Sequence, residues 1–271
     1  MAMMVMGILG SALTRMLVND SRFVSRQDAM LGSRQTARAA LNTILSELTM
    51  VSDAAVVAAS RDSITVRVPY AFGIACQAPT GSTRVVSLMP VDSVVWASMD
   101  SPGFYWRSLT GAYTRVSGVT ITSNLADSTY CRSDSVRVIP GGKVIRIAGI
   151  GGSAQPADHS VIMIYERVTY KFAASTDLSG RIGLWREMSG ATAEELVTPF
   201  DTSARFAYLI GGAKTATLTL RTTTPIAASA LDSIRGVELR LYAASENKPQ
   251  GQTSYNIFPL KTRVRFGNQT P

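Results

Sequence analysis

Residues 1 to about 55 contain no proline and carry apolar side chains at helical spacing. One helix face is clearest near the end of this segment, where apolar side chains recur every three or four residues: Leu41, Ile44, Leu45 and Leu48. We expect this face to pack against the rest of the chain. A single helix of about 54 residues would be roughly 80 Å long, which far exceeds the usual helix of a globular protein. Its N-terminal half therefore needs a packing partner other than its own head.

The N-terminal end of this helix is unusually apolar. Residues 1–17 read MAMMVMGILGSALTRML, a run that is too short to span a bilayer and lacks the basic flank of a signal peptide. Further along, Gly32 and Ser33 lie near the middle of the helical segment. Such a pair either bends a helix or divides it in two, and the sequence leaves both alternatives open.

From about residue 60 the pattern changes to strands separated by glycine-containing turns. Residues 63–68 alternate Ile64, Val66 and Val68 with polar side chains, and residues 236–243 show the same alternation. This period of two is typical of strands that bury one face and expose the other.

The strands follow one another without a linker rich enough in Gly, Ser or Pro to separate two globular units. A helical turn is predicted only at residues 191–197. The predicted fold class is α+β, with a long N-terminal helix packed on an antiparallel β-sheet-rich head. We place the helix in residues 1–57 and the head in residues 58–271.

The chain is basic, with a formal net charge of +8 from 27 Lys and Arg against 19 Asp and Glu. The cations are mostly arginines scattered through strand-like segments, and no block of five or six like charges occurs. This pattern is typical of a solvated basic surface. It is also compatible with a positive field that favours nucleic acid or anionic lipid.

Cys76 and Cys131 are the only cysteines, and neither belongs to a CxxC pair. A zinc or redox motif is therefore not supported. Two alternatives remain open. The pair forms one disulfide in an oxidising compartment, or the two residues are unrelated buried thiols.

No motif indicates catalysis, a cofactor or a bound metal. His159 is the only histidine, so it cannot supply a multi-histidine metal site. Residues 141–144, GGKV, lack the Ser or Thr of a phosphate-binding loop. Residues 149–154, GIGGSA, are followed by a proline-containing polar stretch instead of the helix that would hold a phosphate. We therefore predict that the protein is not an enzyme and has no catalytic, cofactor-binding or metal-binding residue.

The helical segment resembles that of type IV pilins and pseudopilins. Residues 4–13, MVMGILGSAL, are similar to the last part of the apolar stretch of that class, with Gly7, Ile8 and Leu9 as its GIL triplet. Residues 22–48 resemble the continuation found in PilW-type minor pilins and J-type minor pseudopilins, where an Arg- and Gln-rich segment precedes a motif like AR-AL-xx-L-x-x-EL. Weaker similarities to the strands of these families occur in the same order along the head, at residues 168–172, 183–187, 199–209, 232–243 and 260–266.

The resemblance implies that the apolar N-terminal segment is an assembly helix. Its residues are Met4, Val5, Met6, Gly7, Ile8, Leu9, Leu13, Met16 and Leu17. In the family, such a segment anchors the subunit in the inner membrane and later packs against other pilin helices in a filament core. The family's basic leader and its acidic residue near the mature N-terminus have no counterpart here, where the first acidic residue is Asp20. We therefore expect Met1 to be an internal methionine of a longer reading frame.

The resemblance implies one function and leaves one alternative. The expected protein is a minor pilin or pseudopilin that initiates or caps a type IV pilus or a type II secretion pseudopilus, with other minor and major pilins as partners. It would be a single-pass protein of the bacterial inner membrane with a periplasmic head, or part of a periplasmic or extracellular filament. The alternative is a DNA- or surface-binding pilin-like module of a competence or adhesion system.

Overall fold

A single long helix forms the N-terminal part of the protein. The computed structural model describes residues 2–52, 55–76, 81–97, 99, 103–108, 113–123, 128–133, 136, 138–211 and 218–266. Helix α1 (Ala2–Leu48) is 47 residues long and continues through Gly32 and Ser33 without a break. At 1.5 Å per residue it extends about 70 Å.

The head is one antiparallel sheet, which comprises fourteen strands within the described residues. The first seven are β1 (Val56–Ala59), β2 (Ser63–Ala75), β3 (Thr83–Leu88), β4 (Gly103–Arg107), β5 (Tyr113–Ser117), β6 (Thr120–Ser123) and β7 (Val144–Ala148). The other seven are β8 (Val161–Ala174), β9 (Ile182–Met188), β10 (Glu194–Phe200), β11 (Arg205–Ile210), β12 (Thr219–Arg221), β13 (Ile234–Ala244) and β14 (Ile257–Arg265). Two short helices, α2 (Pro90–Ala97) and α3 (Ser128–Ser133), lie in the first half of the head.

The sheet is organised around the two longest strands, β2 and β8. They pair from Ser63↔Lys171 to Ile74↔Val161. On one side of this pair follow β9, β10, β13, β11 and β12, with β14 on the outer edge of β13; on the other side follow β3, β7 and β6. Helix α1 lies against β10, β13 and β14, so the sheet covers one side of its C-terminal half.

The face of the sheet that is buried is the one that the alternating patterns predicted. In β2, Ile64, Val66 and Val68 are fully buried, and in β13 the same holds for Val237 and Leu239. These side chains form one hydrophobic cluster with the C-terminal half of α1. The predicted α+β fold, a long helix packed on an antiparallel sheet, is therefore confirmed.

The helix packs on the sheet through a longer and narrower stripe than its leucine pattern indicated. The buried residues of this stripe recur every three or four positions: Ser33, Ala37, Ala40, Ile44 and Leu48. Leu41 is half-buried at the edge of the stripe, but the structure differs from the prediction at Leu45, which is 36% exposed. Alanine side chains allow the helix backbone to lie close to the sheet. The packed stretch therefore begins at Ser33, about two turns before the leucines.

Local structure differs from the sequence prediction at three short segments. Helices α2 and α3 were not predicted, and residues 191–197 contain the start of strand β10 in place of a helical turn. Strand β10 pairs with β9 from Glu194↔Arg186 onward, so cross-strand pairing outweighs local helix propensity there. Helix α2 begins at Pro90, the first helical position, where the missing N–H of proline is tolerated.

The helix and the head meet without a separating linker. Helix α1 ends at Leu48, Val51 is buried, and Val56 already pairs with Val66 as part of β1. The predicted boundary between helix and head after residue 57 stays a prediction, because no structural break marks it. Physically, the C-terminal half of the helix belongs to the same core as the head.

Candidate functional site

The N-terminal half of α1 exposes large apolar side chains. Leu9, Leu13, Met16 and Leu17 of the predicted assembly segment are 57%, 61%, 72% and 70% exposed. The remaining residues of that segment belong to α1, but their side chains lie outside the described part of the structure: Met4, Val5, Met6, Gly7 and Ile8. Exposure on this scale along one helix is unusual for the surface of a monomeric protein.

The exposed apolar side chains continue along the helix with a seven-residue repeat. One column consists of Leu9, Met16, Phe23 and Met30, and a second, displaced by one residue, of Leu17, Val24 and Leu31. Seven residues are close to two helical turns and adjacent residues are about 100° apart, so the two columns together form a broad apolar stripe along α1. We call these seven residues together with Leu13 the exposed apolar face.

The loop between β13 and β14 holds the helix through polar contacts. The Ser21 hydroxyl donates a hydrogen bond to Gln250 Oε1 at 2.8 Å, and the backbone N–H of Gln250 donates to Ser25 Oγ at 3.0 Å. Further along, the side-chain amide of Asn256 donates to the backbone oxygen of Arg26 at 3.3 Å. Because these contacts use polar groups of the helix, the loop fixes the helix and leaves most of its exposed apolar side chains uncovered; Val24 lines the cleft between helix and loop and is still 49% exposed.

A charged network fixes the C-terminal end of the helix to three strands. Glu47 accepts hydrogen bonds from the Tyr170 hydroxyl of β8 and from Arg186 Nε of β9, the latter at 3.1 Å. Arg186 Nη2 lies 3.0 Å from Glu47 Oε1 and also donates to the Tyr70 hydroxyl oxygen of β2 at 2.8 Å. The side chains of Glu47 and Arg186 are only 15% and 17% exposed. Sequence reasoning missed this network, because its four members come from elements far apart in the chain.

The protonation states of the network suit these contacts. Burial, and then the charge of Glu47, raise the pKa of Tyr170, so its hydroxyl keeps the proton that it donates. Burial is also the main reason that the pKa of Tyr70 is raised. Burial acts to lower the pKa of Arg186, but Tyr70 and Glu47 outweigh it and raise that pKa above its usual value. The arginine therefore stays charged opposite the glutamate.

Cys76 and Cys131 form a disulfide, with their Cα atoms 4.8 Å apart. The sequence left open whether these cysteines form a disulfide or are two unrelated thiols, and the structure shows the disulfide. It joins the end of β2 to α3, and both cysteines are buried in a small apolar cluster with Val85 and Val144. The bond attaches the short helix to the sheet.

His159 lies in a turn before β8. It has a positive φ of 66°, and its backbone N–H donates to the Ala75 oxygen at 2.8 Å. Its neighbours Phe72 and Val161 line an apolar depression with it. In the part of the chain that the structure describes, no group of three or more His, Cys, Asp or Glu residues is arranged to hold a metal ion.

Searches of protein-family models, of curated proteins and of solved structures give no match to this chain. Among the described residues, no helix combines the length and the hydropathy needed to cross a bilayer. The exposed apolar face of α1 remains the most distinctive surface of the protein, and the anchoring of the helix by Glu47 and the 245–256 loop is what presents it.

Proposed function

We propose that the protein is a non-catalytic assembly subunit, a minor pilin or pseudopilin that enters a type IV pilus or a type II secretion pseudopilus through helix α1. The observation that carries the proposal is the exposed apolar face. Its eight large side chains expose apolar area that is costly to leave in water, whereas the head buries the stripe from Ser33 to Leu48 and contacts residues 21–26 through polar groups of its 245–256 loop. A broad apolar stripe along a helix suits packing against the helices of neighbouring subunits.

Three further observations support this proposal. The resemblance of residues 4–13 and 22–48 to pilin-type helices implies the same use of the helix. The long helix packed on an antiparallel head, which the sequence patterns predicted, is compatible with that use. The disulfide between Cys76 and Cys131 favours a compartment outside the cytosol, which suits a periplasmic head or an extracellular filament.

The proposal is tested by charging the exposed apolar face. A double variant, Leu13→Asp with Leu17→Asp, places two carboxylates on it. The matched control, Thr14→Asp with Asn19→Asp, adds the same charge to exposed positions of the same helix outside the seven-residue columns. Sedimentation of the full-length protein in detergent, at rising ratios of protein to detergent, reports self-association or association with a co-expressed major pilin.

We expect the unmodified protein and the control to associate and the Leu13/Leu17 variant to stay monomeric, with unchanged circular dichroism. Electron microscopy of the material assembled with the major pilin should show filaments that contain the protein, because a contact between two different surfaces of neighbouring subunits propagates without closing. A protein that is monomeric under all conditions, or that stops at a closed dimer, would contradict the proposal.

A further inference from the structure

The face of the sheet opposite α1 carries a compact group of cations on three neighbouring strands. In the register of β11, β13 and β14, Arg205 is opposite Arg240, and Arg240 is opposite Lys261. The next rows place Arg263 beside Glu238 and Arg265 beside Gly236. Register partners share a face of the sheet, and these positions alternate with buried residues such as Val237 that face the helix. We call these five cations and Glu238 the basic face.

Glu238 is the only carboxylate on these three strands, and two of the cations form ion pairs with it. Arg240 Nε donates to Glu238 Oε1 at 2.7 Å and Arg263 Nε donates to Oε2 at 2.8 Å. Burial acts to raise the pKa of Glu238, but the hydrogen bonds from Arg263 and Arg240 outweigh it and lower that pKa. Within the described residues, Arg205, Lys261 and Arg265 therefore have no carboxylate partner.

The row of like charges does not stabilise the folded chain. Like charges directly opposite each other on neighbouring strands destabilise a sheet, and the row of Arg205, Arg240 and Lys261 contains two such contacts. Arg205 Nε is also buried without a hydrogen-bond partner among the described residues. A scattered, solvated basic surface would not concentrate its cations in this way. An anionic ligand that pairs with them accounts for the row of like charges.

We propose that the basic face binds the phosphate backbone of duplex DNA. Neighbouring strands are about 4.8 Å apart and alternate residues along one strand about 6.8 Å apart, so the cations form a grid that several phosphates of one backbone can contact at once. Four of the five are arginines, whose guanidinium groups bind phosphate in a bidentate manner. This binding is separate from assembly through α1 and does not depend on it.

The neighbouring side chains favour a duplex over other polyanions. The three rows contain no aromatic residue, and the next row on the same face has one, Tyr242 opposite Pro259, whereas single-stranded nucleic acid would need several aromatic side chains as a stacking platform. Their apolar members, Ala207 and Leu209, are buried. A bilayer surface is held by several exposed apolar side chains as well as by charge, and on this face of β11, β13 and β14 the one large exposed apolar residue is Ile257, two rows beyond Lys261.

The test measures the salt dependence of binding to a labelled duplex of random sequence by fluorescence anisotropy, with the full-length protein. If the three cations without a carboxylate partner each contact one phosphate, the logarithm of affinity falls with that of salt at a slope of about −2.7, or about 40-fold between 50 and 200 mM. Replacing two of them, Lys261→Gln with Arg265→Gln, should reduce the slope to about −0.9 and the affinity at 100 mM salt by about 60-fold.

The matched control is Arg38→Gln with Arg132→Gln, which removes the same charge from exposed positions elsewhere. We expect it to leave the slope unchanged. Circular dichroism of each variant separates lost binding from lost folding. The proposal is overturned by an absence of binding at 50 mM salt, or by an equal loss in the control. It is also overturned if Lys261→Gln with Arg265→Gln weakens binding to phosphatidylglycerol vesicles and leaves DNA binding intact.

Discussion

Replacing Glu47 tests whether the charged network holds the helix to the head. Glu47→Ala removes the acceptor of both the Tyr170 hydroxyl and the Arg186 guanidinium. Tyr170 is fully buried, so its hydroxyl would be left without that acceptor. Such an unsatisfied buried donor costs about 1–3 kcal/mol. Arg186 would also keep its charge at a site where its side chain is only 17% exposed.

Removing one partner of a fully buried ion pair destabilises a protein by about 3–5 kcal/mol. The residual exposure of Glu47 and Arg186 places the expected loss for Glu47→Ala near the lower end, at about 3 kcal/mol. Glu47→Gln keeps an oxygen that can accept from Tyr170 and fills the same space. It should therefore cost less, about 1–2 kcal/mol, because it loses only the ionic part of the contact to Arg186.

Urea unfolding followed by tryptophan fluorescence and by circular dichroism measures these free energies of unfolding. Hydrogen exchange of residues 40–48 shows whether the loss is concentrated at the end of the helix, as the network predicts. The control is Asp20→Ala, which removes an exposed carboxylate of the same helix and should change stability by less than about 0.5 kcal/mol. A loss below that value for Glu47→Ala, or an equal loss for Glu47→Gln, would refute this account of the anchor.

Two further predictions concern the disulfide and the buried tyrosines. Replacing Cys76 and Cys131 by serine should lower the free energy of unfolding by about 4 kcal/mol, since the bond closes a loop with a sequence separation of 55. Chemical denaturation of the protein and of this variant, with and without reductant, measures the difference. Equal stability of the oxidised protein and the variant would contradict the prediction. Burial raises the pKa values of Tyr170 and Tyr208 above the usual 10.0. The unfolded chain therefore loses these protons first. Stability should be complete below pH 10 and decrease above it, by up to about 1.4 kcal/mol per pH unit for each such tyrosine. Alkaline titration of unfolding should show a shallower decrease for Tyr170→Phe, and an unchanged slope would exclude this tyrosine as a contributor.

The general fold was predictable because it depends on patterns within single segments. The long helix followed from the absence of proline and from apolar residues at helical spacing. The buried face of β2 followed from Ile64, Val66 and Val68, since alternation along one strand fixes which side chains share a face. Neither conclusion requires knowledge of which elements are neighbours.

The contacts between distant segments were not predictable in this way. The stripe that packs on the sheet contains Ala37 and Ala40, which are weak signals in a sequence that also offers larger leucines nearby. Likewise, the alternating cations Lys261, Arg263 and Arg265 indicate an exposed basic face on β14 alone. Only the register of three strands, with Arg205 opposite Arg240 and Arg240 opposite Lys261, shows that cations of β11 and β13 join it.

The two proposed surfaces lie on different parts of the protein, the exposed apolar face on residues 9–31 of α1 and the basic face on the side of the sheet opposite the helix, and this has a mechanical consequence. Strands β13 and β14 contact α1 on one face and carry Arg240 and Lys261 on the other. A partner helix on the exposed apolar face and a duplex on the basic face therefore do not compete for space. Because Glu47 and the stripe from Ser33 to Leu48 fix the helix to the sheet, a pull on the helix reaches the basic face through packed elements and not through a flexible linker.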